Sequence, residues 1–408
     1  MSSTAIQIKK QTGNELATTY RVLFIIGFCH LLNDTLQAVV PAMFPILEKS
    51  MSLSYTQIGI IGFALNMVSS VMQPLVGWYT DKKPMPYALP AALASSLCGM
   101  VLLAVAPSYG TVILSVMLIG IGSAVFHPEG SRVAFMAAGP KRGLAQSIYQ
   151  VGGNSGQALA PLITALVLVP IGQRGAIWFV PVAACAVLLL TYIAKWYSAH
   201  LTIFTPKKKA GGQSNTKIGS KIKAALILIL FIIFARSWYI ACMTNFYAFY
   251  IIEKYDFSIK TSQIYLFAFL AAGALGTFFG GPLADRYGRK KVILFSLAGS
   301  APLTLLLPFV PASVSLILLF IIGFILMSSF SVTVVYAQEL VPGKVGTMAG
   351  LTVGLAFGMG AIGSVALGKL ADVTSLATTI QIVGAMPFLG LLSLFLPSDK
   401  ELAEWHSN

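Results

Sequence analysis

Twelve apolar stretches, a basic interruption near mid-chain and a repeat shifted by half the chain length predict an all-α membrane protein built as two related six-helix bundles. Hydrophobic residues fill 57% of the 408 positions and charged residues only 10%, against roughly 25% charged in soluble domains. Each stretch is about 20 residues or longer, enough to cross a hydrocarbon core about 30 Å thick. The predicted spans are 20–47, 55–79, 86–106, 111–137, 143–171, 175–197, 224–252, 262–283, 290–309, 313–337, 345–369 and 377–397. The first is too long and too polar for a signal peptide, and no small-residue cleavage site follows it, so it counts as a span.

A net charge of +14 raises nucleic acid as a partner, but the positions of the basic residues point to the bilayer instead. Twenty of the 27 Lys and Arg, among them Lys82, Lys83, Lys207, Lys290 and Lys291, fall in the N-terminus, the even-to-odd loops and the C-terminus. Lys49, Arg174, Lys254, Lys260 and Lys369 fall on the other side, and Arg132 and Arg236 lie within spans. The positive-inside rule therefore predicts an inner-membrane protein with both termini in the cytoplasm. Lipid is an expected partner, nucleic acid is not, and a single copy is expected to suffice. Cys29, Cys98, Cys185 and Cys242 all lie within spans at no ligand-like spacing, so buried apolar thiols are expected rather than a metal site or disulfides.

The bundles are expected over 1–197 and 224–408, joined by a basic Gly- and Ser-containing linker at 198–223. Gly77 to Lys83 recurs about 204 residues later as Gly281 to Tyr287, and Glu48-Lys49 recurs as Glu253-Lys254. The run Gly281-Pro282-Leu283-Ala284-Asp285-Arg286-Tyr287-Gly288-Arg289-Lys290-Lys291 resembles the cytoplasmic-loop signature of the major facilitator superfamily. The first copy departs from it at Trp78, Tyr79 and Pro84. Phe28 to Gln37 and Phe126 to Ala134 are similar to the fosmidomycin resistance protein family, as are Arg142 to Ser147 and Gln150 to Asn154. That resemblance implies the major facilitator fold and proton-driven efflux of drugs, a phosphonate antibiotic among them.

In the first span His30, Asn33, Asp34, Gln37 and Pro41 share one helical face. An ionisable group at mid-bilayer costs at least about 2.5 to 3.5 kcal/mol, so this stripe must face protein or water. Asp34 is the candidate proton carrier, because burial disfavours a charged carboxylate; a permanently paired aspartate is the alternative. His30 is either a second titrating group or a packing histidine. After the second span Asp81, and after the eighth Asp285 with Arg286 and Arg289, are expected at a gate. In the fourth span Glu129 and Arg132 are three apart and can pair, either as a fixed bridge or as one that opens on proton or substrate arrival. His127-Pro128 beside them predicts a kink.

The fifth span carries a neutral polar stripe that includes Gln150 and Asn154, with Gly152 and Gly156 permitting close helix contact. In the seventh, Arg236, Tyr239, Met243, Tyr247 and Tyr250 are placed on one face, and a shift of about 206 residues pairs Arg236 with His30. A planar guanidinium suits phosphonate or carboxylate oxygens; snorkelling to an interface is the other reading. Candidate substrate contacts are thus Arg132, Arg236, His127, Asn33, Gln37, Gln150, Asn154, Tyr239 and Tyr247. No HExxH, nucleophile elbow, P-loop or cofactor fingerprint occurs, which speaks against an intramembrane enzyme and for transport energised by an ion gradient. Uptake of an anionic metabolite remains the rival to export.

Overall fold

The computed structural model describes residues 18–139, 142–204, 219–341 and 345–407. All regular elements among them are helical. Among the described residues twelve helices are long and apolar enough to span a membrane: α1 (Tyr20–Ala42), α2 (Tyr55–Thr80), α3 (Ala88–Val105), α4 (Tyr109–Ala137), α5 (Ile148–Ile171), α6 (Gln173–Leu201), α7 (Ser220–Asn245), α8 (Ile259–Tyr287), α9 (Arg289–Phe309), α10 (Ala312–Leu340), α11 (Ala356–Val373) and α12 (Leu376–Phe395). The last helix of the first bundle continues to Phe204 and α7 starts at Ser220, so both run into the expected linker. Residues 205–218 lie outside the described residues.

The duplication is visible in the backbone. Helix α1 breaks at Met43, and a short helix, Phe44–Met51, ends on left-handed Ser52 with φ 51°. Helix α7 breaks at Phe246, and Tyr247–Tyr255 ends on left-handed Asp256 with φ 52°. Ser54 then caps α2 and Ser258 caps α8. These landmarks repeat at a shift of 203 or 204 residues. Arg236 accordingly takes the register of Asn33, ten residues before the break in each helix, and not that of His30. The 206-residue pairing matched Phe28 to Phe234 by side-chain type, whereas the helix breaks fix the register.

Within the first bundle α1 packs on α5, α2 on α4, and α3 on α4 and α6. A Cβ on Gly152 would lie 2.0 Å from the Gly27 carbonyl oxygen, and one on Gly156 2.3 Å from that of Leu31. Only glycine permits this approach of α1 to α5, which places the polar stripe of one helix against that of the other. Pro128 sits inside an unbroken α4. A break in α10 falls at Ser328–Ser329, between Ala312–Met327 and Phe330–Leu340. Cys29 and Cys242 are buried, but Cys98 and Cys185 are exposed: on a lipid-facing surface an apolar thiol needs no burial to be stable.

Candidate functional site

The α1 stripe is buried against α4 and α5. Asp34 accepts hydrogen bonds from the Asn33 amide at 3.0 Å and from Gln157 of α5 at 2.9 Å. Its Oδ1 also lies 3.4 Å from His30 Nε2 and 3.7 Å from His127 Nε2. His30 Nδ1 is 2.7 Å from the backbone oxygen of Tyr149, and its ring stacks on that tyrosine at 4.0 Å. A carbonyl only accepts, so Nδ1 carries the hydrogen. In a neutral ring Nε2 is then a bare acceptor facing a carboxylate. A proton on one of the two resolves the conflict, and the potential ligand atoms of His30, Asp34 and His127 all lie within 4.8 Å of one another. His30 and Asp34 are each 3% exposed, while the His127 side chain is 23% exposed and Gln157 is exposed, which gives the cluster a route to its surroundings. Gln37 stands one turn further along α1 and accepts from Ser123 of α4 at 2.5 Å. On α5 Gln150 donates to Asn154 at 3.4 Å.

Glu129 and Arg132 form their own group, towards the linker end of α4. Glu129 is fully buried; its Oε1 lies 3.5 Å from the Arg132 guanidinium, and Tyr197 of α6 donates to its Oε2 at 3.3 Å. Arg132 donates to the Thr80 backbone oxygen at 2.6 Å and to the Thr80 hydroxyl at 3.1 Å. The pair thus ties α2, α4 and α6 together. Among the described residues the guanidinium contacts carbonyl, hydroxyl and carboxylate groups of its own bundle.

Arg236 occupies in the second bundle the register of Asn33 in the first. It is 2% exposed, donates to the Ser329 hydroxyl at 3.1 Å and to the Thr333 hydroxyl at 3.2 Å, and lies over the Phe330 ring at 5.2 Å. Both hydroxyls belong to α10 at its interruption, and no carboxylate pairs with Arg236 among the described residues. The 203-residue shift places Phe330 at the register of His127. The two bundles therefore hold a titratable cluster and a permanent cation at matching positions. Tyr239 is buried, with no hydrogen-bond partner for its hydroxyl among the described residues, and Tyr247 bonds Ser315 at 2.7 Å. Ser315 and Ser329 are separated by about 21 Å of helix rise, so Tyr247 and Arg236 do not meet. The break at Phe246 resets the helical face on which the sequence placed them together.

At the linker side Asp285 and Arg286 are exposed, and Arg286 rests on the Tyr287 ring at 5.3 Å. Arg289 pairs with Glu339 at 2.6 Å and with Asp399 at 3.5 Å, both within its own bundle. The Asp81 side chain lies outside the described residues. An apolar groove of about 350 Å³ between α1 and α5, lined by Phe24, Phe28, Leu31 and Val151, turns away from the His30–Asp34 face. Sequence reasoning did not single out Tyr197, Ser329, Phe330 or Thr333. Only the repeat shift, applied from Phe126–Gly130, leads to the last three.

Residues 23–358 match the Major Facilitator Superfamily. The chain is 62% identical over 406 residues to the uncharacterized MFS-type transporter YfnC of Bacillus subtilis, covering 99% of each. It is 45% identical over 383 residues to the fosmidomycin resistance protein of Escherichia coli, covering 94% of each. Among solved structures, a bacterial homologue of the human lysosomal transporter Spinster, inward-facing and unoccupied, superposes with a TM-score of 0.71 at 15% identity, covering 93% of this chain and 95% of that one.

Proposed function

From the premise that this chain belongs to the major facilitator superfamily, a family of transporters and not of enzymes, we propose that it is a proton-coupled antiporter exporting a small anionic or amphiphilic compound, a phosphonate antibiotic among its substrates. The observation that carries coupling is the bare Nε2 of His30 facing the Asp34 carboxylate, a site made for one shared proton. The kinship to the fosmidomycin resistance protein supports phosphonate as cargo. The basic linker and loops support cytoplasmic termini in a bacterial inner membrane.

In this reading the first bundle handles the proton and the second the anion. His127 and Gln157 connect the buried pair with the aqueous path, and Asn33 and Gln157 hold the Asp34 carboxylate while the proton leaves. Arg236 presents a planar fork whose present acceptors are two neutral hydroxyls. Anionic oxygens can replace those hydroxyls and gain charge-assisted bonds. Glu129 and Arg132 serve as a bridge that positions α4.

Purified protein in liposomes, with fosmidomycin as probe and an imposed pH difference, tests the reading. Transport must run against the direction of the proton gradient. Asp34→Asn is expected to keep counterflow at equal pH and lose pH-driven transport. Arg236→Lys keeps the charge but loses the fork, and is expected to weaken phosphonate transport about tenfold. Normal pH-driven transport by Asp34→Asn would overturn the coupling assignment. Unchanged transport by both Arg236→Lys and Arg236→Gln would overturn the anion site.

A further inference from the structure

Helix α2 begins on the side away from the linker, and a helix start leaves four backbone N–H groups without helical partners. Ser54 and Gln57 satisfy two of them. The Ser54 hydroxyl accepts from the Gln57 N–H at 3.2 Å, and the Gln57 side-chain oxygen accepts from the Ser54 N–H at 2.9 Å. The remaining two, on Tyr55 and Thr56, donate to the two oxygens of Asp372 at 2.9 and 2.8 Å. The Thr56 hydroxyl adds a third bond to the same carboxylate. Asp372 stands near the end of α11, in the other bundle. Beside it the Tyr55 hydroxyl donates to Glu253, on the short helix that follows α7.

One bundle therefore completes the cap of a helix in the other, with its negative charge at the positive end of the helix dipole. The related helix α8 shows the contrast. Ser258 caps Thr261 at 3.1 Å, yet among the described residues no carboxylate bonds the N–H groups of Ile259 and Lys260. Next to the cap α2 and α11 touch backbone to backbone: a Cβ on Gly59 would lie 2.3 Å from the Ser364 oxygen, and one on Gly368 2.3 Å from that of Tyr55. On the linker side Arg289 pairs with Glu339 and Asp399 of its own bundle. Because Asp372 is exposed, water can take over its oxygens when the bundles part.

We propose that Asp372 is a gate latch: its bonds to the start of α2 hold the two bundles closed on the side away from the linker, and each transport cycle must break and remake them. The proposal does not depend on the solute or on the coupling ion. Its test is a distance measurement by pulsed electron paramagnetic resonance on the full-length chain, with the four native cysteines replaced by alanine. One spin-label pair goes at Gly110→Cys, where an added Cβ meets nothing within 4 Å, and at exposed Ala377→Cys. A second pair on the linker side goes at exposed Tyr79→Cys and Tyr287→Cys. In Asp372→Ala the ratio of open to closed at the first pair is expected to rise on the order of tenfold, while the linker-side pair shortens. Asp372→Asn, which keeps one acceptor oxygen, is expected to fall between. If Asp372→Ala does not fold, Asp372→Asn carries the test alone, because its amide nitrogen cannot accept and one of the two backbone N–H groups of Tyr55 and Thr56 loses its acceptor. Distance distributions in all folded variants that superimpose on the parent's would overturn the latch.

Discussion

Replacing Gly153 by alanine pushes a methyl group into the proposed proton site without altering any ionisable group. The added Cβ would lie 2.5 Å from His30 Nε2, 2.6 Å from its Cε1 and 2.9 Å from Asp34 Oδ2. Relief of that crowding requires a retreat of about 0.9 Å. The ring is pinned by its bond to the Tyr149 oxygen and by stacking on Tyr149, so the retreat opens the 3.4 Å His30–Asp34 contact. At an effective dielectric of about 20, lengthening the contact to about 4.3 Å weakens the charged pair by about 1 kcal/mol, roughly fivefold in the proton equilibrium. Liposomes carrying Gly153→Ala are expected to keep counterflow at equal pH and to lose about fivefold in pH-driven transport. Gly152→Ala supplies the control, because its Cβ would lie 2.0 Å from the Gly27 backbone oxygen, which cannot rotate away. That variant is expected to lower the melting temperature and yield first. Parent-like pH-driven transport by well-folded Gly153→Ala would refute the reasoning, since the pair could then be loosened without loss of coupling.

Two other outcomes are expected. Arg132→Met strands the fully buried Glu129 carboxylate and should cost about 3–5 kcal/mol of stability, whereas adding Glu129→Gln should recover much of it. Thermal unfolding in detergent reads both, and a single variant as stable as the parent would show that the bridge carries no structural load. Outside the spans, burial and the neighbouring Glu253 push the Glu48 carboxyl above its usual range, against the opposing pull of Lys49, with the Tyr55 hydroxyl, which donates to Glu253, also close by. A raised acid binds its proton more tightly where Glu253 is near, so the closed state should gain as pH falls through that raised value and lose as pH rises above it. The Gly110–Ala377 distance is expected to shorten on average as pH falls from about 7 to about 5, and Glu48→Gln should flatten the response; a profile unchanged by Glu48→Gln counts against this group.

The twelve spans were legible because hydrophobic length is written along the chain. Their ends were less so. The expected first span ran to 47, but the helix breaks at apolar Met43, between Pro41 near its end and Pro45 in the first turn of the short helix that follows. Lipid-facing and core positions are equally apolar, so Cys98 and Cys185 could not be told from Cys29 and Cys242. Helical spacing put His30 and Asp34 on one face, and the two side chains lie 3.4 Å apart. The bond that orients His30 goes to a backbone oxygen on another helix, and no residue type announces it. Arg236 finds hydroxyls whose importance emerges only once α10 is packed beside α7. Asp372 was passed over for a related reason: two of its partners are backbone N–H groups some 316 positions away in the chain.

Because the titratable cluster and the permanent cation sit in different bundles, exchange of one inward proton for one outward monoanion would carry current in both halves of the cycle. Two elementary charges would cross per turn, each worth about 2.3 kcal/mol at 100 mV. Voltage alone would then pull on such an exchange as hard as a pH difference of roughly 3.4 units pulls on a single proton. A dianion would move a third charge and a neutral compound only the proton's own. The charge of the cargo would therefore set how strongly an energised cell expels it, even among compounds bound equally well.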